Sequence, residues 1–348
     1  MNIPAQDARA RFTKALVANY SDQLKPKDFG RSFFIETESY EKEISIEVQR
    51  NNEMVAVDVL RGSDGNRNVF DRSTEKIFVP PFYDEYFDMT SLAAYDKLYV
   101  EPEISGINFG RLIQSASAKM EVLMDKINRA YEKQAWQVFM TGIVELEKGT
   151  NIDYKRKALS LVDLGSSAYW NASLVDPNTA LETAAKFCRE VGKADGGVFN
   201  VVIGDLAFDA FVNNTAVQNR GKIFAYSFDM LQPQQRDSRG ASFHGIVSAG
   251  SYTFRIWTYP EVYTDASGAM VQYMDSKSIV VLPMVPKFVL SYAGVPQLLT
   301  EGQPPVKGKF MAYDFMDKRK RTHDLGVMSA GVAIPVGVDQ IWTGKVLA

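Results

Sequence analysis

Side chains that can carry acid–base or nucleophilic chemistry are scarce in this chain. Histidine transfers protons near neutral pH more often than any other residue type, and the sequence has only two, His244 and His323. Neither lies in the H-E-x-x-H spacing of a zinc site. The single cysteine, Cys188, falls within a predicted helix over residues 179–191, where its neighbours at helical spacing are apolar. This pattern favours a buried thiol over a nucleophile.

Three acidic residues, Asp84, Glu85 and Asp88, are the remaining candidates for acid–base catalysis or for binding a cation. Aromatic residues are interspersed among them, which is more typical of the solvated edge of an element than of a site. An α+β enzyme that uses this acidic group stays open as the least favoured alternative.

A strand that runs into a helix at a glycine is the usual place for a bound phosphate, and residues 201–205 (VVIGD) have this form. A dinucleotide fingerprint needs three glycines, and this stretch has only Gly204, so ordinary packing of a strand on a helix is favoured. The sequence contains neither the G-x-x-x-x-G-K-[ST] motif nor the G-x-S-x-G motif. It therefore predicts a protein with no catalytic residues, no metal and no cofactor.

Composition and charge narrow the class of protein further. Lys plus Arg number 39 and Asp plus Glu number 42, which gives a formal net charge of −3 and argues against binding nucleic acid through bulk positive charge. The length of 348 residues and the hydrophobic fraction of 46% predict a folded chain of two domains. One cysteine excludes an internal disulfide, and neither a membrane-spanning run nor a secretory signal is found. We therefore expect a soluble protein of a reducing, intracellular compartment.

Two long strands joined by a turn are predicted to follow a short amphipathic helix over residues 1–20. Apolar and polar residues alternate over 44–48 and 55–59, a turn rich in Gly, Asp and Asn covers 61–66, and the return strand runs to a Pro-Pro pair. Each arm would span roughly 50 Å at about 3.3 Å per residue. An isolated ribbon is barely stable in water, so we expect this one to lie across another subunit.

The longest helical pattern covers residues 108–141, where apolar residues recur at steps of three and four and form one stripe. The charged residues, Glu132 among them, are assigned to the opposite face, and Gly142 is the candidate C-terminal glycine. At about 1.5 Å per residue this helix would be roughly 50 Å long. The heptad pattern is not strict, so a rod lying against a sheet is favoured over a coiled coil.

Strands and short helices alternate from residue 159 to 304, which predicts an α+β domain with a mixed central sheet. A capping box at Thr179 and Glu182 is predicted to open the first helix, and Asp205 is predicted to cap the second. The predicted strands, including two that close the chain, are residues 199–203, 246–248, 253–259, 270–274, 279–282, 327–332 and 341–347.

Several stretches occur in an order that is familiar from one protein family. They are residues 40–44 (YEKEI), 59–62 (VLRG), 78–81 (FVPP), 257–263 (WTYPEVY), 274–275 (MD), 279–283 (IVVLP), 327–335 (VMSAGVAIP) and 345–348 (KVLA). With the order of arm, ribbon, long helix, α+β domain and closing strands, they resemble the lambda-type major capsid (head) proteins of tailed bacteriophages. The resemblance covers nearly the whole chain.

The resemblance implies the tailed-phage major capsid fold, of α+β class, in five parts. The implied parts are an N-terminal arm over residues 1–30, an extended β-ribbon loop over 31–88, a peripheral domain with a spine helix over 89–157, an axial domain with a mixed central sheet over 158–318, and a return to the peripheral domain over 319–348.

The resemblance also implies a function. Copies of the chain would assemble through pentamers and hexamers into an icosahedral head that encloses double-stranded DNA without sequence-specific binding and without a membrane. Assembly would take place in the bacterial host cytoplasm, and the product would be the virion. A separate scaffolding protein, a portal and a decoration protein are the expected partners. An encapsulin-like nanocompartment shell of the same fold remains the main alternative.

Contacts between subunits are expected in three places. The tip of the extended loop contributes Arg61, Gly62, Asp64, Gly65 and Arg67. Lys76 is a candidate loop contact, because some relatives cross-link a lysine of this loop to a neighbouring subunit. The basic run is a candidate contact patch, either a solvated loop or a salt bridge between subunits, and consists of Lys318, Arg319, Lys320 and Arg321.

Overall fold

Short strands come first along the chain, then one long helix, and then a mixture of strands and helices. A computed structural model describes residues 25–49, 73–90, 105–172, 174–223, 237–295, 305–317 and 322–348. The early strands are β1 (Ile35–Glu38), β2 (Ile44–Gln49), β3 (Ser73–Phe78) and β4 (Phe82–Thr90). The long helix is α1 (Ser105–Met140), and the short strands β5 (Ile143–Val144), β6 (Ile152–Asp153) and β7 (Leu161–Asp163) follow it.

The second half of the chain opens with helices around one strand. These elements are α2 (Pro177–Glu190), β8 (Val198–Ile203), α3 (Asp205–Asn213) and α4 (Thr215–Ile223). The remaining strands are β9 (Ser242–Ala249), β10 (Tyr252–Thr258), β11 (Val262–Thr264), β12 (Met270–Gln272), β13 (Ser278–Pro283), β14 (Phe288–Tyr292), β15 (Met311–Asp317), β16 (Thr322–Pro335) and β17 (Trp342–Lys345).

The long strand β16 organises a five-stranded sheet. It pairs antiparallel with β4, β14 and β15, and β1 joins β14 in parallel. Thr322 of β16 lies opposite both Thr90 of β4 and Asp317 of β15. Since one residue faces both partners, β4 and β15 run along opposite edges of β16.

A six-stranded sheet with the order β7-β17-β13-β8-β10-β9 forms the centre of the second half. The pair β8–β10 is parallel, whereas β13 pairs antiparallel with β8 and with β17. The predicted mixed central sheet is thus confirmed, together with the α+β class.

Alternate residues of the two central strands of this sheet enter two different cores. Val201 and Ile279 pack in one core with residues of α2, including Cys188, while Val202 and Val280 pack in the other with residues of α1. Side chains alternate between the faces of a strand, and here both faces are covered. This arrangement explains why every residue of β13 is buried.

Helix α1 agrees closely with the predicted helix over residues 108–141, and Gly142 adopts the positive φ of +74° expected after a helix end. The predicted single apolar stripe is wrong for its second half. Residues 131–139 are buried on almost all sides, because side chains of both sheets join the core around them. Glu132, assigned to the polar face, is 0% exposed.

Two predicted helix caps are also wrong. Helix α2 begins before Thr179, and its N-cap is Asp176, whose side chain accepts a hydrogen bond from the backbone N–H of Asn178. Proline at the first helical position fits this earlier start. At α3 the N-cap is Gly204, and Asp205 is already the first helical residue.

The predicted ribbon over residues 31–88 is described only at its base. Strands β2 and β3 pair antiparallel with Ile44 opposite Phe78, as the alternation predicts. Strands β1 and β4, which fall within the predicted ribbon, pair within the five-stranded sheet instead. The ribbon from residue 50 to 72 and the predicted N-terminal helix lie outside the described residues.

The two closing strands of the predicted return over residues 319–348 lie in different sheets. Strand β16 belongs to the five-stranded sheet and β17 to the six-stranded sheet, where it pairs with β7 and β13.

Among the described residues, no helix combines the length and the apolar character needed to cross a membrane.

Candidate subunit interface

Large apolar side chains are exposed along the segment that leads from β3 into β4. The exposed fractions are 60% for Ile77, 58% for Val79, 50% for Phe82 and 58% for Tyr86. Phe78, which alternates with them, points inward and its ring lies 5.5 Å from that of Tyr154. A row of exposed apolar side chains on a well-anchored segment is typical of a surface that another protein covers.

The inner face of β4 is fixed to helix α1 by polar contacts. The Lys126 ammonium lies 2.6 Å from a carboxylate oxygen of Glu85, and the Gln134 amide donates to the Tyr83 hydroxyl at 2.8 Å. The Lys126–Glu85 pair is partly exposed, and such pairs contribute little to stability. The two polar contacts instead determine the orientation of β4, because they fix which of its faces turns outward.

The acidic residues of β4 do not converge on one site. Glu85 faces α1, whereas Asp84 and Asp88 lie on the opposite face of the strand, since successive side chains point to opposite sides. Asp84 accepts a hydrogen bond from the Tyr313 hydroxyl at 2.8 Å. In the described part of the chain, no group of three His, Cys, Asp or Glu side chains is arranged to hold a metal ion.

Cys188 lies in the packed interior, and His244 is half-buried against an aromatic ring. The Cys188 thiol is fully buried 3.4 Å from the carbonyl oxygen of Gln340, and burial raises its pKa to about 12. The His244 ring lies 4.0 Å from the ring of Phe208 and 2.7 Å from the Thr258 hydroxyl, and burial lowers its pKa. Both groups are therefore uncharged at neutral pH.

Packing accounts for the glycine at the candidate phosphate turn. A Cβ atom on Gly204 would lie 2.5 Å from the backbone carbonyl oxygen of Asp275, closer than real Cβ contacts. The backbone N–H of Gly204 already donates to the carbonyl of Ser278 at 3.0 Å. This turn therefore joins β8 to α3 tightly, as the sequence prediction favoured.

A buried carboxylate ties the N-terminal segment to the long helix. Glu132 of α1 accepts hydrogen bonds from the backbone N–H groups of Gly30 (2.7 Å) and Arg31 (3.0 Å), from the Trp136 indole (2.9 Å) and from the Tyr259 hydroxyl (3.0 Å). Burial raises the pKa of Glu132, and these donors together with the Arg31 guanidinium oppose that shift. The residue joins three separate parts of the chain.

A half-buried guanidinium caps the C-terminal end of the helix. Arg156 donates to the backbone carbonyls of Phe139 (2.6 Å), Ser160 (2.9 Å) and Ile341 (3.1 Å). Burial lowers the pKa of Arg156 to about 10, so the group stays charged at neutral pH. A cation is favourable at the carbonyl end of a helix, and this one also links α1 to the residue before β17.

The predicted contact residues lie mostly beyond what the structure describes. The loop-tip residues Arg61, Gly62, Asp64, Gly65 and Arg67 are outside the described residues, as is the basic run of Lys318, Arg319, Lys320 and Arg321. Lys76 lies in β3 opposite Ile46 of β2. The basic run joins β15 to β16, whose last paired residues are Asp317 and Thr322.

The sequence did not reveal the roles of Glu132 and Arg156, a buried carboxylate and a half-buried guanidinium that both bind the long helix to other parts of the chain. One signal was available for Glu132. Tyr131, Trp136 and Phe139 point in different directions around the helix, which indicates burial on more than one side. For Arg156 we find no comparable local signal, because its partners are backbone carbonyls distant in sequence.

Comparisons with known proteins show the family and the fold of the chain. The model of the phage major capsid protein E family matches residues 110–346. A protein of an Escherichia coli CFT073 prophage, described as its capsid protein, superposes with a TM-score of 0.63 at 14% identity over 95% of this chain and 96% of that chain. The mature capsid of bacteriophage PhiM1 superposes with a TM-score of 0.51 at 9% identity over 94% and 89%. No curated protein matches the chain.

Proposed function

The chain belongs to the phage major capsid protein E family, and from this premise we propose that its copies assemble into the icosahedral head that encloses phage double-stranded DNA. The family and the fold are those that the order of sequence elements predicted, and the chain is a shell-forming protein of the virion. The observation that carries the proposal is the row of exposed apolar side chains from Ile77 to Tyr86 on a segment anchored in the subunit's own sheet.

The proposed division of the chain follows the two large sheets and differs from the five predicted parts, because β14 and β15 of the predicted axial domain pair in the five-stranded sheet. Helix α1 and the five-stranded sheet would form the peripheral domain, and the six-stranded sheet with α2 would form the axial domain. Strand β17 would belong with the axial domain, since it pairs there. The ribbon would leave the subunit between β2 and β3.

The proposed contacts between copies are those at the ribbon tip, at Lys76 and at the basic run over residues 318–321. A separate scaffolding protein, a portal and a decoration protein are proposed partners, with assembly in the bacterial host cytoplasm. The family match favours a phage head over an encapsulin-like compartment. A structural role is also favoured over catalysis, because Glu85 faces away from Asp84 and Asp88.

Expression of the chain with its scaffolding protein tests the proposal. We expect particles of megadalton mass in sedimentation velocity and closed shells of uniform diameter in negative-stain images. A folded chain that stays monomeric with its scaffolding protein present, over the concentrations used for assembly, would overturn the proposal.

A further inference from the structure

One face of the six-stranded sheet is covered over only part of its width. Val202 and Val280 of this face pack in the core that contains α1, and the face continues onto β10 through Trp257, the register partner of Val202. Towards the edge strand β9 the cover ends, and Ile246 is 52% exposed. Because β9 and β10 are paired along their length, this uncovered part is a rigid surface.

A groove of about 320 Å³ lies where this face meets the N-terminal segment. Most of its lining is apolar and includes Phe29, Phe33, Trp257, Met284 and Val285. The side chains of Met284 and Val285 are 44% and 79% exposed. Exposed apolar side chains around a concave surface are typical of a site that buries a side chain of another molecule.

A cation stands beside the groove. The Arg255 guanidinium lies 5.5 Å from the ring centroid of Phe243 and 5.6 Å from that of Trp257, and it donates to the Met284 sulfur at 3.5 Å. Within the part of the chain that the structure describes, Arg255 has no carboxylate partner. Arginine pairs strongly with carboxylates. The groove together with Arg255, which we call the receiving face, therefore suits an occupant with a carboxylate next to an apolar side chain.

The outer face of β4 carries this combination. We define the outer strip as Phe82, Asp84 and Tyr86, which alternate along the strand and share the face turned away from α1. The two aromatic side chains are 50% and 58% exposed. Asp84 is exposed as well, and it accepts a hydrogen bond from the neutral Tyr313 hydroxyl at 2.8 Å. Its carboxylate thus has no cationic partner among the residues described.

We infer that the outer strip of one copy docks on the receiving face of a second copy, with Phe82 in the groove and Asp84 on Arg255. This inference rests on the proposed function. Neighbouring side chains on one face of a strand are about 6.6 Å apart, and the Arg255 guanidinium lies 5.6 Å from the Trp257 ring that lines the groove. A phenylalanine seated against Trp257 therefore brings the adjacent carboxylate within reach of Arg255.

The outer strip of the same copy cannot be the occupant, because helix α1 and its core lie between the two surfaces. Strand β4 turns Glu85 towards α1 and the outer strip away from it. The receiving face lies on the side of the six-stranded sheet whose Val202 packs in the core with α1. A contact between two copies is head to tail, and such contacts form rings when their rotation closes.

A charge exchange between Asp84 and Arg255 tests the pairing. We expect Asp84→Arg alone and Arg255→Asp alone each to lower the yield of sedimenting particles about tenfold or more, because like charges then meet across the contact. The double variant should recover the yield to within about twofold of the original chain. Two matched controls should assemble normally. They are Asp209→Arg, at an exposed aspartate of α3, and Arg189→Asp, at an exposed arginine that also lies over a ring, 5.9 Å from that of Tyr252.

Thiol cross-linking identifies which chain supplies the contact and leaves the charge pair in place. The native Cys188 is buried, so a variant with Tyr86→Cys and Ile246→Cys has two accessible thiols, one beside each member of the pair. In assembled particles a short bismaleimide should link these thiols into a ladder of chains on a denaturing gel. Tyr86→Cys with Asp209→Cys is the control and should stay monomeric.

Four results would overturn the inference. They are normal assembly of either single charge variant, failure of the double variant to recover, an equal loss in the two controls, and cross-links that stay within one chain or join the receiving face to the scaffolding protein. If the original chain forms no particles with its scaffolding protein, the proposed function itself fails. Particles that form without the ladder overturn this inference alone.

Discussion

Glu132 is held by donors from two distant parts of the chain and from its own helix, and the side chain has no contact with solvent. Its oxygen Oε1 accepts from Gly30, Trp136 and Tyr259, and Oε2 accepts from Arg31. A carboxylate has two acceptor oxygens and no donor. The site is therefore built for an acidic residue and for no other side chain of that size.

We expect Glu132→Gln to lower the free energy of unfolding of the unassembled subunit by about 2–4 kcal/mol. The amide NH₂ group of glutamine would face N–H or O–H donors at either oxygen position and would leave the Arg31 guanidinium without its charged partner. Urea denaturation measures the change. Glu121→Gln, at an exposed position of the same helix, is the control, and equal effects of the two substitutions would contradict this account.

Cys188 gives a second prediction at the residue scale, which concerns pH. Burial raises the pKa of the thiol to about 12, so at pH 8 the native protein holds far less of the reactive thiolate than an unfolded chain with a pKa of about 8.5. Reaction with a thiol reagent should be about a thousandfold slower in the native state. Above pH 9 the reaction rate of the native protein should still rise tenfold per pH unit, whereas the reaction rate of the unfolded chain levels off there.

The chain has one cysteine, so each molecule provides a single signal. A plateau of the native reaction rate at or below pH 8.5 would contradict the buried position of the thiol. The reaction in guanidinium chloride gives the rate of the unfolded chain and serves as the control.

At the scale of elements, the ribbon combines a base that is fixed in the subunit with a tip that is proposed to act between subunits. The base is fixed by pairs such as Ile44–Phe78 and by the anchoring of β4 along β16. None of these contacts involves residues 61–66. Loss of the tip should therefore affect assembly and leave folding of the subunit intact.

Deletion of residues 61–66 should give a soluble subunit with an unchanged unfolding temperature and few or no sedimenting particles. Thermal unfolding and sedimentation velocity on the same preparation measure the two effects. A variant that replaces the six residues by glycine and serine keeps the length of the ribbon, and we expect it to assemble poorly too. Loss of soluble folding after the deletion would instead place the tip in the core of its own subunit.

Elements with a strong local pattern were predictable from the sequence, and elements defined by distant partners were not. The steps of three and four in α1 and the apolar run of β13 gave both elements within about three residues. The pairing of β4 with β16 joins residues more than 230 positions apart, which no local pattern encodes. For the same reason, the alternation of acidic and aromatic residues around Asp84 indicated the solvated edge of an element. It did not indicate which face of β4 the helix α1 would cover.

At the scale of the whole molecule, the order of parts was more informative than any single motif. Each stretch that resembled the capsid family is short, but together they occur in one order, and the family model covers residues 110–346. The residues that contact another subunit were less predictable. A sequence shows which side chains are charged, but it does not show whether they contact their own copy of the chain or another. Phe82 illustrates this limit, since its exposed position in β4 depends on the pairing of that strand with β16, which is distant in sequence.

Electron cryomicroscopy of the assembled particles tests the central claim most directly. The account predicts that residues 50–72 of each copy lie over a neighbouring copy, and that Phe82 and Tyr86 are buried against a chain other than their own. A map in which residues 50–72 fold back over the hydrophobic interior of their own subunit, with both aromatic rings still facing solvent, would contradict it.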